Sequence, residues 1–299
     1  MTEQVIGIDL GGTAIKLGRF DRDGNCYESL TIPTPQPPRP KAVLLTILDA
    51  IDSLTKKLND DIKIRAIGIG TPGPVDGTGR IAKVAINLDG WHNIPLADWI
   101  ESATKLPVIL ANDANCAGLG EAWLGAGNRF SDLIMLTLGT GVGGAVIIDG
   151  KLFVGQRGAA GELGLISLNP DGPDCNSGNQ GSLEQYVSVQ GIRRDTGMEP
   201  LELANLAEKG DQFALEYWEK YGRYLGVGLA NLIYILTPQA VIIGGGVSAG
   251  YKFFLPMVKH EIEQRVIPSS RENLALLIAE LGNQAGMVGA AKLAWQIEV

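Results

Sequence analysis

Strands and helices interleave along the whole chain of 299 residues, which predicts an α/β protein. An internal echo predicts that it is built as two lobes. At one constant offset Val5–Asp21 falls on Leu133–Asp149, so Asp9-Leu10-Gly11-Gly12-Thr13 lies over Thr137-Leu138-Gly139-Thr140-Gly141. Each copy is an apolar run, a Gly/Thr-rich turn, a second apolar run and an aspartate. The length is enough for each lobe to bury its own core.

The elements follow in order. Val5–Leu10, Ala14–Phe20 and Cys26–Thr31 alternate or run apolar with turns between them, so a three-stranded meander opens the chain. Its second turn, Asp21-Arg22-Asp23-Gly24, matches a calcium loop for three residues, but the glycine comes too early and no closing Glu follows; it reads as a hairpin turn. Pro33–Pro40 holds five prolines and reads as an extended connector to a helix over Lys41–Leu58. Ile64–Gly70 and Val108–Leu110 are short buried strands. Asn112-Asp113-Ala114-Asn115 caps a helix reaching about Gly125. The second hairpin spans Leu133–Ile148, and a glycine-rich irregular segment runs from Gly155 to Gly181. Helices at Pro200–Glu208 and Asp211–Leu236, a strand at Ala240–Ile243, a helix, a strand at Leu274–Ala279 and a helix at Gln284–Ile297 complete the order.

Composition narrows the function. A net charge of −8 with no basic block argues against a nucleic-acid partner. Cys26, Cys116 and Cys175 are few, odd in number and far apart, which suits a reducing cytoplasm better than a disulfide framework. Met1-Thr2-Glu3-Gln4 runs straight into a strand, so no secretory signal is expected. Tyr224–Leu236, the most apolar long stretch, is too short to span a bilayer and reads as a buried helix.

Glycine permits close backbone approach, its N–H groups can face oxygen, and threonine adds a hydroxyl. Two such hairpin tips suggest two loops closing on one polyanion, and hence a phosphotransfer enzyme. Other pattern matches fail on context. Gly139-Thr140-Gly141-Val142-Gly143-Gly144 fits the dinucleotide fingerprint as a string, but β-branched residues and a turn follow where a helix is required. Gly246-Val247-Ser248-Ala249-Gly250 fits a nucleophile elbow, but only His260 follows, with no acid between it and Ser248. No Walker A string occurs, and the two histidines, His92 and His260, read as surface residues. The acids remain. Asp113 stands at a helix start after a strand, where α/β folds present functional groups, although an N-cap role is the commoner one there. Glu162 and Glu184 flank a glycine-rich region. Beside two phosphate loops the three acids suggest a grip on a polyhydroxy substrate.

Asp9-Leu10-Gly11-Gly12-Thr13, Thr71-Pro72-Gly73-Pro74-Val75, Asn112-Asp113-Ala114-Asn115, Leu138–Gly144 and Gly161-Glu162-Leu163-Gly164 occur in the order found in ROK-family sugar kinases, which the chain resembles over essentially its whole length. The resemblance implies the actin-like, duplicated ribonuclease-H-type fold, two lobes around a cleft. The small lobe is expected at residues 1–115 plus 285–299 and the large lobe at 116–284. It further implies that Asp9, Gly11, Gly12 and Thr13 form the first phosphate loop, with Mg²⁺ near Asp9. Thr140 and Gly141 form the second, and Gly245 and Gly246 belong to the adenosine-side turn. Asp113 is the expected general base, and Gly73, Asn87, Asn112, Asp113, Glu162 and Glu184 the expected sugar-holding residues. The implied activity is ATP- and Mg²⁺-dependent phosphorylation of the 6-hydroxyl of glucose, in a cytoplasmic homodimer with no membrane partner.

One departure from the family pattern alters these expectations. The family carries a histidine three residues after the Glu162 position and then a Cys-x-Cys-Gly-x-x-Gly-Cys-x-Glu run that holds zinc. Here the histidine position is Leu165, and the run reads Cys175-Asn176-Ser177-Gly178-Asn179-Gln180-Gly181-Ser182-Leu183-Glu184. One thiolate does not make a tetrahedral site, so zinc is not expected. Because that histidine also touches the sugar, fructose, mannose and N-acetylhexosamine stay open as acceptors, and polyphosphate as donor. A sugar-binding sensor, repressor-like or a pseudoenzyme, is the alternative outside enzymes. Closure of the two lobes on sugar is expected, since water would otherwise compete as acceptor.

Overall fold

The computed structural model describes residues 2–56, 58–59, 61–85 and 88–298, without the Ala249 side chain. In chain order the elements are β1 (Thr2–Leu10), β2 (Ala14–Phe20), β3 (Cys26–Pro33), α1 (Pro40–Thr55), β4 (Ile62–Thr71), β5 (Ala82–Val84), β6 (His92–Ile94), α2 (Leu96–Thr104), β7 (Val108–Asn112) and α3 (Asp113–Leu124). Next come β8 (Leu133–Leu138), β9 (Val142–Ile148), β10 (Lys151–Leu152), α4 (Leu183–Val187), α5 (Val189–Thr196), α6 (Pro200–Glu208), α7 (Gln212–Leu236), β11 (Ala240–Gly244), α8 (Tyr251–Arg265), β12 (Ala275–Ile278) and α9 (Ala285–Trp295). The class is α/β, as the interleaving predicts.

Two five-stranded sheets carry the fold, in the orders β3-β2-β1-β4-β7 and β10-β9-β8-β11-β12. The echo in the sequence is an echo in topology: each copy is an antiparallel hairpin whose first strand (β1 or β8) also pairs in parallel with a later strand (β4 or β11). The chain divides into two compact units, one of Met1–Ser131, Ala145–Gly161 and Glu280–Val299, the other of Asp132–Gly144 and Glu162–Ala279. This division differs from the expected lobes at residues 145–161, which lie with the first unit, and at α3, which lies there too.

Missing side chains explain that placement. A Cβ on Gly289 of α9 would stand 1.7 Å from the Cys116 carbonyl oxygen of α3, and one on Gly120 of α3 would stand 2.3 Å from the Ala285 oxygen. Only glycine allows the two backbones this close. The same helix lies against the sheet through Gly7 and Gly68, whose added Cβ atoms would meet the Met287 and Ala290 oxygens at 2.2 and 1.8 Å. On the rest of the first unit, Ile6, Ile8, Leu10, Ile15 and Leu17 pack with Val43, Ile47 and Leu54 of α1 in a fully buried core.

In the second unit β11 is buried at every position between its parallel neighbours β8 and β12. The long helix α7 starts at the cap Asp211, whose side chain accepts from Ala214 N. It buries Trp218 and Tyr221 against Phe254 of α8, with ring centroids 5.8 and 5.1 Å away. Its last turn is less buried than expected: Tyr234 and Ile235 are exposed. Helix α1 stops three residues before the expected Leu58. His92 lies in β6, and both it and His260 are exposed, as expected of surface residues. Asp21 accepts from the backbone of Asp23 and Asn25 and from Tyr27 Oη, so its loop is a side-chain-braced hairpin turn. All three cysteines are free. Among the described residues no helix is long and apolar enough to cross a membrane.

Candidate active site

In the first unit the hairpin turn after β1 is tight, Gly11 N donating to Ala14 O at 3.0 Å. The proline-rich connector secures its carbonyls. Thr34 N donates to Thr13 O at 3.0 Å, Thr34 Oγ1 to Gly11 O at 2.7 Å, and Gln36 Nε2 to Gly12 O at 3.3 Å. The N–H groups of Gly12 and Thr13 have no partner among the described residues. A loop whose acceptors are satisfied and whose donors are open is suited to an anion.

Asp9, at the end of β1, faces Lys16 across the hairpin, and Lys16 Nζ lies 3.3 Å from Oδ2. The same ammonium donates to Asn283 O at 2.8 Å. Burial raises the Asp9 carboxyl above its ordinary range, against the pull of Lys16. Mg²⁺ is commonly held by one or two carboxylates together with substrate phosphates, so a single half-buried carboxylate beside open loop donors fits that ion.

The strand ends of β4 and β7 bring the next residues together, Thr71 pairing with Asn112. Asn112 is the N-cap of α3, accepting from Ala114 N and Asn115 N through Oδ1 and donating to Gly73 O at 3.1 Å through Nδ2. Gly73 has φ +75°, and a Cβ there would stand 1.8 Å from Val84 O, so this position requires glycine. The cap role weighed for Asp113 thus belongs to its neighbour. Asp113 is the first helical residue, and its Oδ1 accepts from Ala114 N at 2.8 Å. It keeps solvent access, yet the surrounding protein raises its carboxyl, with the Asp9 charge adding to that effect. Behind it Cys116 is fully buried, and its thiol is pushed well up.

In the second unit the β8–β9 turn closes by Gly139 N donating to Gly141 O at 2.9 Å, and Val189 N, at the start of α5, donates to Gly139 O at 2.8 Å. The N–H groups of Thr140 and Gly141 have no partner among the described residues. Glu184, in the first turn of α4, accepts from Val142 N at 2.8 Å. Gly245 has φ +88°, and a Cβ there would stand 2.4 Å from Leu138 O, which sets the turn after β11 against the root of this loop. Gly246 beside it faces open space. Ser248 Oγ donates to Gly245 O at 2.6 Å, a turn brace with no acid–histidine partner set. Glu162 precedes a 3₁₀ turn at Leu163–Leu165, and Gly164 lies against Val142, where a Cβ would be 2.2 Å from its oxygen.

The first unit therefore brings together Asp9, Gly11, Gly12, Thr13, Gly73, Asn112 and Asp113, and the second Thr140, Gly141, Glu162, Glu184, Gly245 and Gly246. Asn87 lies outside the described residues. Lys16, Thr34 and Gln36, not singled out from the sequence, hold Asp9 and the loop after β1. Lys16 was legible in principle, because a tight turn between Asp9 and Lys16 makes them a cross-strand pair.

The segment after Glu162 is held by hydrogen bonds. Asn179 Nδ2 donates to Leu165 O at 2.8 Å, Leu183 N to Ile166 O at 2.8 Å, and Cys175 N to Asn179 O at 2.8 Å. Ser177 Oγ lies 3.2 Å from Cys175 Sγ. Burial pushes this thiol up, but hydrogen bonding, the Ser177 hydroxyl first, outweighs it and holds it below the ordinary thiol range. Among the described residues no group of three or more His, Cys, Asp or Glu side chains is placed to hold a metal ion.

Known proteins are similar to nearly the whole of this chain. A glucokinase of Halalkalibacterium halodurans is 36% identical, the alignment covering 98% of this chain and 95% of the relative. The structure of a ROK hexokinase from Thermus thermophilus is 34% identical with a TM-score of 0.87, covering 98% of both chains. A ROK glucokinase from Streptomyces griseus, solved with glucose and AMPPNP, is 34% identical with a TM-score of 0.78, covering 98% of this chain and all of the other. The profile of the ROK family matches residues 5–297, and the chain belongs to that family.

Proposed function

We propose that Asp113 is the general base of a hexose kinase that transfers the γ-phosphoryl group of MgATP to the 6-hydroxyl of glucose. The protein is a sugar kinase of the glucokinase-like type and uses ATP. The single observation that carries the role of Asp113 is its place. It is the first residue of α3, solvent-accessible, with a carboxyl raised by its surroundings, in the unit that holds the first phosphate loop.

A primary alcohol attacks phosphorus well only as its proton leaves, and a carboxylate within hydrogen-bond reach takes that proton. A raised carboxyl is a stronger base than an ordinary one, provided it stays ionised at the working pH. Asn112 fixes the turn that presents Asp113, while Asn112, Gly73, Asn87, Glu162 and Glu184 hold the sugar hydroxyls. The open N–H groups of Gly12, Thr13, Thr140 and Gly141 receive phosphate oxygens, and Gly245 and Gly246 make room for the nucleoside. Mg²⁺ when bound, with Asp9 as its protein ligand, would neutralise charge on the transferred group. Positioning and fixed dipoles carry the remainder of the catalysis.

The protein is further proposed to act in the cytoplasm as a homodimer, without zinc and without nucleic acid. Light scattering gives the oligomeric state, and elemental analysis of the untagged chain gives the zinc content.

The deciding experiment is a panel of glucose, fructose, mannose and N-acetylhexosamines with MgATP or polyphosphate, run beside Asp113→Asn. Glucose turnover that falls about 10²- to 10⁴-fold in the variant, with folding intact, supports the reading. Turnover of another sugar alone reassigns the acceptor. Tight sugar binding with no turnover on any of them would make the protein a sensor.

A further inference from the structure

We propose that Glu184 is a positioning residue that couples the two substrates, gripping the second phosphate loop with one carboxylate oxygen while offering the other to the sugar. The proposal rests on the reading of Glu184 as a sugar-holding residue. Its Oε2 accepts from Val142 N at 2.8 Å, immediately after the turn that carries Thr140 and Gly141. The approach depends on Gly141, because a Cβ there would lie 2.3 Å from the same oxygen. Oε1 has Cys175 Sγ at 3.9 Å, and a thiol is a weak donor. That oxygen keeps its capacity to accept from a hydroxyl without releasing the loop.

The backbone around Glu184 is already fixed. Leu183 N donates to Ile166 O, Ser188 N to Glu184 O, and Val189 N to Gly139 O at the opposite root of the loop. The side chain is held as well, Oε2 by Val142 N, so one carboxylate joins the phosphate loop to whatever Oε1 accepts. A sugar hydroxyl on Oε1 fixes the carboxylate and through it the loop, and nucleotide on the loop fixes the carboxylate for sugar. Coupling of this kind is reciprocal: sugar must tighten nucleotide by the factor by which nucleotide tightens sugar.

The test is calorimetric binding of AMPPNP with Mg²⁺, with and without saturating glucose, and of glucose with and without AMPPNP. In the unmodified protein each ligand lowers the Kd of the other by the same factor, about five-fold or more. In Glu184→Ala, with sugar raised to saturation and an unchanged melting temperature, the factor falls to about one. Glu184→Gln, which keeps one acceptor for Val142 N, lies between. Cys175→Ala, which removes only the weak thiol contact, keeps the factor. A protein that phosphorylates hexose but shows equal Kd values, or a Glu184→Ala variant that keeps the full factor, overturns the coupling alone. Failure to phosphorylate any hexose overturns the kinase reading, and the coupling with it.

Discussion

The carboxylate of Asp9 rests against the backbone of Gly286, in the first turn of α9. A Cβ at that glycine would stand 2.9 Å from Asp9 Cγ and 3.0 and 3.2 Å from its two oxygens. The side chain, not the backbone, would have to give way. Gly286→Ala therefore displaces the proposed Mg²⁺ ligand while improving the helix, which gains up to about 1 kcal/mol from the alanine. We expect kcat/KM for MgATP to fall about 10- to 100-fold with the melting temperature unchanged or higher. Steady-state kinetics beside a thermal melt separates the two effects; parallel losses would count against this view of Asp9.

The pH dependence of turnover reports on Asp113. The protein around it raises its carboxyl, the neighbouring Asp9 charge adds to that, and Asp9 is itself raised by burial. A base must be ionised, so kcat/KM is lost as pH falls through the raised value. The acid limb is expected above the ordinary carboxylate range of about 4, and its midpoint belongs to the pair of acids. Stability runs the other way. A carboxyl raised on folding costs stability in its charged form, so Asp113→Asn should melt no lower than the parent at neutral pH. That difference should vanish below the ordinary range. An acid limb at or below about 4 would contradict the surroundings inferred for Asp113.

The hairpins, the start of α3 and the limits of α6 and α7 were legible because each is set by local chemistry: Gly/Thr turns, the Asn112 cap, the Pro200 start and the Asp211 cap. The short strands β5 and β6 and the helices α2, α4 and α5 were not read, since tertiary pairing defines them more than any periodicity. The division at α3 was missed for a related reason. Gly120 and Gly289 are contact points only once the last helix folds back. The site residues divide in the same way. Phosphate-loop glycines announce themselves in sequence, whereas Thr34 looked like part of a connector until the fold carried it to Gly11.

Thr34 offers a direct measure of how much that latch matters. Its hydroxyl donates to Gly11 O at 2.7 Å, and the residue is buried. Thr34→Val preserves shape and removes the donor, leaving the Gly11 carbonyl to find water or move. The loss is about 1 kcal/mol, close to a five-fold rise in KM for MgATP. The KM for sugar should stay the same, because the hydroxyl braces only the phosphate loop. A rise in sugar KM with nucleotide KM untouched would show that the connector acts elsewhere.

Glu121 presents the last case, an acid invisible as a structural residue from its neighbourhood in sequence. On α3 it is fully buried, and its carboxylate accepts from Ala126 N at 2.9 Å, Glu280 N at 3.0 Å and Leu281 N at 2.8 Å. It thereby fixes the chain leading into α9, including Asn283, whose oxygen takes the Lys16 ammonium. Removing the acceptor takes the carboxylate from three backbone donors at half-buried positions. For Glu121→Ala a loss of about 3 kcal/mol follows, roughly 6–10 °C in melting temperature. Glutamine is no rescue, because its NH₂ group would confront N–H donors where the second oxygen now stands. Glu121→Gln should lie nearer to alanine than to the parent in a thermal melt. The folded fraction should bind MgATP more weakly, since Asn283 is no longer held for Lys16. A glutamine variant as stable as the parent would mean that one oxygen suffices for the three donors.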